Sequence, residues 1–380
     1  LAHRVLVVIG TRPEAIKMAP VIRALEAYAP EVETRVALTG QHTTLVDQAL
    51  EIFAVEPDYD LDIMQEGQSL YGVMYGALDG LKDIVREVDP DVVLVQGDTA
   101  TVFAGALVGF FERVRVGHVE AGLRSHDKWA PYPEEALRRM TDVLADYCFA
   151  PTPWASSELL SENVRADRIY VTGNTVVDAL LSVADREHSI GNASLRSIVE
   201  DDASRLVLLT AHRRESFGEP LREVFGAVLD LVGRAPDAHV LYPVHPNPNV
   251  RGPAGELLGA HERVHLTEPL DYLDLIAAIR HADLILTDSG GIQEEAPTFG
   301  TPVLVLRSVT ERPEGIDAGV AELVGTERET IVERALAKLA AGRPTEMANP
   351  YGDGRAGERI ADIVVSSLTG RPRATEDWSP

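Results

Sequence analysis

The chain has 380 residues, 45% of them hydrophobic, and a formal net charge of −25 at pH 7. That length exceeds one hydrophobic core, so two domains are expected, and the charge leaves no basic surface to release counterions from a phosphate backbone, which argues against nucleic acid. One cysteine, Cys148, excludes an internal disulfide, no ligand spacing joins histidines on one helix, and no run of eighteen apolar residues occurs, so the expectations are no metal, no membrane span, no signal peptide and a cytoplasmic location.

Val5 to Ile9 is a continuous apolar run, which reads as a strand buried on both faces. It leads through Gly10-Thr11-Arg12-Pro13-Glu14 into a helix beginning near Ala15. That turn lacks Gly-x-Gly-x-x-Gly, so no nicotinamide cofactor is expected. Arg12 and Lys17 put two cations beside the strand mouth instead. A strand over 33–38, a helix over 44–53, a long amphipathic helix over 70–87 and a strand over 91–95 follow, the last closing in Gln96-Gly97-Asp98-Thr99. The next strand runs from Val114 and ends at Glu120. A proline-stiffened loop, 129–133, opens a helix at Glu134, which is either a favourable charge for the helix dipole or a catalytic acid. A strand over 146–150, a helix over 155–162 and a strand over 168–171 complete this half. The alternation implies a doubly wound parallel sheet, whose ligands lie beyond the carboxyl ends of the strands. Gly10 to Arg12, Asp98 and Glu120 share that rim.

The pattern then restarts. A strand over 206–210 runs into His212-Arg213-Arg214, a locally cationic turn suited to a diphosphate. A helix over 221–233, a strand over 239–243 ending before His245, a strand over 264–266 and a helix over 272–281 follow, with strands over 284–287 and 302–306. This is a second doubly wound domain. Between its last two strands, Asp288-Ser289-Gly290-Gly291 is a turn without bulky side chains, opening a helix that carries Gln293, Glu294 and Glu295. Such a junction either holds a phosphate on its free N–H groups or is an ordinary capped turn. Arg312 adds a further cation nearby in sequence. The segment 360–368 is apolar on one face and reads as a helix, and 371–380 reads as a frayed end.

The blocks Gly-Thr-Arg-Pro-Glu-Ala-Ile-Lys, Gln-Gly-Asp-Thr, Gly-His-Val-Glu-Ala-Gly-Leu-Arg, Tyr-Pro-Glu-Glu, His-Arg-Arg-Glu-Ser-Phe-Gly, Thr-Asp-Ser-Gly-Gly-Ile-Gln-Glu-Glu and Thr-Glu-Arg-Pro-Glu occur in this order. In these motifs the chain resembles the non-hydrolysing UDP-N-acetylglucosamine 2-epimerases. The resemblance implies a GT-B fold, two Rossmann-like domains with the active site in the cleft between them, no cofactor, and a homodimer that interconverts UDP-N-acetylglucosamine and UDP-N-acetylmannosamine. The domains are expected over 1–170, with a C-terminal helix from 360–380 packing back on it, and over 171–359. Carried over by motif, the nucleotide and phosphate contacts fall on Arg12, Lys17, His212, Ser289, Gly290, Gly291, Glu295 and Arg312, with His212 counted among the catalytic groups. The acid/base carboxylates fall on Asp98, Glu120 and Glu134. Near the base, Gln and Phe are replaced by Pro269-Leu270-Asp271-Tyr272-Leu273-Asp274-Leu275, which leaves backbone atoms and Leu275 for recognition. Gln41, Arg213 and His245 are what this chain keeps of a regulatory site found in some bacterial members. Three other readings fit the same motifs: a hydrolysing epimerase, a GT-B glycosyltransferase, and a non-catalytic sugar-nucleotide sensor.

Overall fold

The computed structural model describes residues 2–40, 44–63, 67–184, 186, 188–213, 216–344 and 347–380, and its strands form two separate parallel sheets. The first unit carries β1 (His3–Ile9), α1 (Arg12–Glu26), β2 (Val32–Leu38), α2 (Thr44–Phe53), β3 (Tyr59–Asp60), α3 (Leu70–Val88) and β4 (Val92–Gln96). It continues through α4 (Ala100–Phe111), β5 (Arg115–Val119), α5 (Glu134–Leu144), β6 (Tyr147–Ala150), α6 (Pro153–Ser161), β7 (Ile169–Val171) and α7 (Thr175–Ala184). The second unit comprises α8 (Ala193–Val199), β8 (Arg205–Thr210), α9 (Glu219–Arg234), β9 (Ala238–Pro243), α10 (Pro248–Leu258), β10 (Val264–Thr267), α11 (Tyr272–His281) and β11 (Leu284–Thr287). It ends with α12 (Gly290–Glu295), β12 (Val303–Val305), α13 (Pro313–Asp317), β13 (Ala321–Leu323) and α14 (Arg328–Ala341), after which α15 (Ala356–Thr369) returns to the first unit. The units divide within α7, at 179/180, and again at 350/351, where 170/171 and 359/360 were expected.

Strand order is β3-β2-β1-β4-β5-β6-β7 in one sheet and β10-β9-β8-β11-β12-β13 in the other. Each sheet thus reverses direction beside its first strand, the switch point where doubly wound folds bind ligands, and the chain has the two Rossmann-like halves of the GT-B class. The apolar strand runs follow from burial on both faces. Val207 and Leu209 of β8 pack with α9 and α14, while Leu206 and Leu208 pack with α8 and α11.

Several helices were hidden in the sequence by the same burial. α4 reads Ala-Thr-Val-Phe-Ala-Gly-Ala-Leu-Val-Gly-Phe-Phe, with no polar stripe, because most of its length is buried. Asn192, which opens a formal glycosylation triplet, accepts the Leu195 N–H at 2.9 Å and caps α8. The helix after β1 begins at Arg12 rather than Ala15, with Pro13 in its first turn.

The C-terminal segment is not frayed, and the helix stops at Thr369. Asp362 accepts the N–H groups of Ala374 and Thr375 at 2.8 Å each, Arg373 lies over the Tyr170 ring, and Trp378, only 6% exposed, donates its backbone N–H to the Val171 carbonyl at 2.7 Å. A buried indole anchors what composition alone reads as a loose end. At its other end α15 is capped by Asp178, which accepts the Gly357 N–H at 2.7 Å.

Candidate active site

β1, β4 and β5 are neighbours in the first sheet, so the residues after their carboxyl ends lie side by side. Arg12 opens α1 after β1, Asp98 follows β4, and Glu120 follows β5. Glu120 is buried and holds φ at +70°, a left-handed conformation costly for a residue with a Cβ. Lys17 Nζ donates to its Oε1 at 2.6 Å, and Gln96 donates to Oε2. Lys17, expected as a phosphate contact, therefore pairs with a carboxylate of the same rim. Asp98 accepts from Arg138, which also reaches Glu135 and the Leu123 carbonyl at 3.0 Å each. Glu134 begins α5 and is half-buried.

Beneath this rim lies a layer that motif reading passed over. His118 Nδ1 is 2.6 Å from Asp142 Oδ1, and its Nε2 is 2.7 Å from the Gly97 carbonyl, one residue before Asp98. Arg124 closes the back of the layer, donating to Asp142 at 2.7 Å and to Glu162 at 2.9 Å. Burial pushes the Asp142 carboxyl up, but His118 and Arg124 outweigh it and hold it below the ordinary range. Polar residues ending an otherwise apolar strand, Gln96 and His118, were the available signal.

Glu14 was also missed. Burial drives its carboxyl from 4.5 to about 7, against hydrogen bonds from Gly10, Thr99 and Thr11 and with the charge of Asp98 adding to the rise. In the unfolded chain it ionises near 4.5, so its contribution to stability is whole below that pH and is withdrawn as pH rises through about 7. Glu14→Gln should therefore gain stability over the wild type between pH 5 and pH 8, by about 2–3 kcal/mol. Urea unfolding of both proteins at the two pH values checks this, and parallel changes would contradict it.

In the second unit, β8 and β11 are adjacent, and Asp288 ties their turns together: its Oδ2 accepts the His212 and Arg213 N–H groups at 2.7 and 2.8 Å. Asp288 points to the β8 turn, and Ser289 makes no side-chain capping bond to α12. His212 stacks on His245 with ring centroids 5.2 Å apart. Burial, together with His245 and Arg213, lowers the His212 pKa against the pull of Asp288, which favours the neutral ring.

Arg312 lies against the glycine turn. A Cβ built on Gly290 would stand 2.5 Å from its guanidinium carbon, so only glycine lets the cation rest there. Its Nε donates to Glu294 at 2.7 Å and its Nη1 lies 3.1 Å from Glu311. Burial alone would raise the Glu311 carboxyl, but Arg312, Arg307 and Arg213 hold it at about 2. Three guanidiniums thus converge on Glu311, and one of them, Arg312, also holds Glu294 beside the turn. Glu295 is half-buried at the end of α12, and Leu275 packs partly into the core beneath α11. Gln41 and Arg214 lie outside the described residues.

The described residues bring His188, Asp271 and Asp274 within ligand reach of one another. Asp274, however, already accepts the Gly191 and Asn192 N–H groups at 3.0 and 2.7 Å, and Asp271 caps α11, so the trio clamps a loop to a helix. His261 and His265 have a spacing that would pair them on a helix, yet the segment runs through a turn into β10, where His265 stacks on His239. No described helix is long and apolar enough to cross a membrane.

The sequence profile of UDP-N-acetylglucosamine 2-epimerases matches residues 23–365. The UDP-N-acetylglucosamine 2-epimerase of Escherichia coli K12 is 49% identical over 374 residues, covering 96% of this chain and 99% of its own. A crystal structure of a Listeria monocytogenes relative is 45% identical with a TM-score of 0.91, covering 100% and 99% of the two chains. The Neisseria meningitidis UDP-GlcNAc 2-epimerase bound to UDP-GlcNAc is 42% identical with a TM-score of 0.87, covering 97% and 100%.

Proposed function

Because this chain belongs to the UDP-N-acetylglucosamine 2-epimerase family, it is an epimerase acting at C2 of UDP-N-acetylglucosamine, and we propose that it works by eliminating and re-adding UDP. Inverting C2 of that sugar gives UDP-N-acetylmannosamine. The C2–H bond has no adjacent carbonyl to stabilise a carbanion, so direct deprotonation is too slow. In the elimination route a carboxylate takes the C2 proton, the bonding pair forms the C1–C2 double bond, and the C1–O bond breaks as UDP departs. The intermediate is 2-acetamidoglucal. Re-addition returns a proton to the opposite face of C2 and UDP to C1.

The observation that carries this reading is the set of carboxylates on one rim, Asp98 and Glu120 after neighbouring strands β4 and β5 and Glu134 at the start of α5. Proton removal from one face and delivery to the other requires at least two such groups. The departing β-phosphate needs positive charge and hydrogen-bond donors; Arg12 and Arg312 are suited to supply the charge, and the neutral His212 ring and the N–H groups after Ser289 to supply donors. Leu275 and Glu295 are assigned to the nucleoside side. Gln41, Arg213 and His245 are the candidates for what remains of a regulatory site. Incubation with UDP-N-acetylglucosamine and no added cofactor should yield UDP-N-acetylmannosamine at a constant UDP-sugar total by NMR. Steady release of free UDP would instead indicate a hydrolysing enzyme.

A homodimer fits a second surface. Leu70, Tyr71 and Tyr75 on α3, Phe110 and Phe111 on α4, and Met140 and Val143 on α5 are exposed, Tyr75 by 74% and Phe111 by 65%, on helices that pack side by side. The groove between α3 and α4 is lined by Tyr75, Leu78, Val108 and Phe111, and its charges, Lys82 with Asp79 and Arg86 with Glu112, balance. On a chain of net charge −25, a locally neutral apolar face is where a second copy meets least repulsion. Paired Tyr75→Glu and Phe111→Glu should weaken self-association by about 100-fold or more. Sedimentation of both proteins tests it, and a monomeric wild type would contradict it. A nucleotide-sugar substrate and one buried thiol suit the cytoplasm.

A further inference from the structure

The geometry points to Glu14 as a positioning residue for this reaction, whose carboxyl bolts the turn carrying Arg12 to the turn carrying Asp98. The inference rests on the proposed use of both residues. Glu14 lies in the first turn of α1, where a carboxylate could serve the helix dipole equally well from solvent. Instead its side chain folds back and is 2% exposed, a desolvation that needs another reason.

Its three partners supply that reason. Oε2 accepts the Gly10 N–H at 2.6 Å, and Oε1 accepts the Thr11 hydroxyl at 3.0 Å and the Thr99 hydroxyl at 2.9 Å. Thr11 immediately precedes Arg12, and Thr99 immediately follows Asp98. One carboxyl therefore spans the ends of two adjacent strands, β1 and β4. The layer below is packed to contact: Thr39 and Thr101 hydroxyls are 2.8 Å apart, and a Cβ on Gly10 would stand 2.5 Å from Thr101 Oγ1. With no slack beneath them, the turns move together or not at all. Thr99 also accepts the Val102 N–H at 3.4 Å, so the Asp98 turn is tied to the start of α4 as well.

The test separates the two arms of the bolt. Thr99→Val cuts the link to Asp98 and should lower kcat about 10- to 100-fold with KM within about 3-fold, the scale expected from a small misplacement of a reacting group. Thr11→Val cuts the link to Arg12 and should raise KM about 10-fold with kcat within about 3-fold. Glu14→Ala should show both defects, and Glu14→Gln, which retains an acceptor oxygen for Gly10 and a donor for the threonines, should recover at least about 10-fold over the alanine variant. Melting temperatures are read for every variant. Wild-type kinetics in Thr99→Val and Glu14→Gln together with Glu14→Ala, or kcat and KM losses that track melting temperature equally in both threonine variants, would overturn the inference. A wild-type enzyme that turns over no UDP-N-acetylglucosamine would refute the proposed function and this inference with it.

Discussion

Asp98→Asn should lower kcat by about 10²- to 10⁴-fold, the range for removing a positioned general acid or base, while leaving the fold almost as stable as before. The two effects separate because Asp98 keeps 28% of its side chain in solvent, and Arg138 retains Glu135 and the Leu123 carbonyl after the change. Glu134→Gln should behave alike, since Glu134 is half-buried at a helix start. Glu120→Gln should differ. Its partner Lys17 is buried with it at 2.6 Å, so neutralising Glu120 weakens a buried charge-assisted pair and should lower stability in addition to the catalytic loss. Initial rates and melting temperatures of the three variants check the pattern. Near-normal turnover in any one removes that carboxylate from the proton-transfer set.

Gly290→Ala should raise the KM for UDP-N-acetylglucosamine by about 10- to 100-fold, the worth of one or two charge-assisted hydrogen bonds, with a smaller effect on kcat. The new methyl would stand 2.5 Å from the guanidinium carbon of Arg312. That guanidinium is the far end of a flexible side chain, so it gives way while the backbone stays, at some cost in stability through its pairs with Glu294 and Glu311. Arg312→Ala is a poorer probe, because it takes a buried cation away from Glu294 and Glu311 at once. Equilibrium binding of UDP to Gly290→Ala gives the same answer without turnover. Wild-type affinity would show that Arg312 holds no phosphate.

The strands were legible because a parallel strand covered on both faces must be apolar throughout, and β1, β4, β8 and β11 obey that rule. The rims followed from them, since a residue after such a strand faces the ligand side. Legibility failed where burial erased contrast, as in α4, or where one anchor reverses the meaning of a polar segment, as Trp378 does for the C-terminus. It failed again at Glu14. Spacing in a motif says that a cation or carboxylate stands near a strand mouth, but not whether it faces outward or turns back to hold its neighbours. The glycines after Ser289 were visible as a bare turn; that Gly290 makes room for Arg312 depends on a contact over a sequence separation no local pattern records.

The elimination account is tested most directly by running the wild-type enzyme on UDP-N-acetylglucosamine in heavy water and reading C2 by NMR. The account predicts deuterium at C2 of the UDP-N-acetylmannosamine formed, introduced by a carboxylate that has exchanged its proton with solvent. Product carrying its original hydrogen at C2 would contradict it.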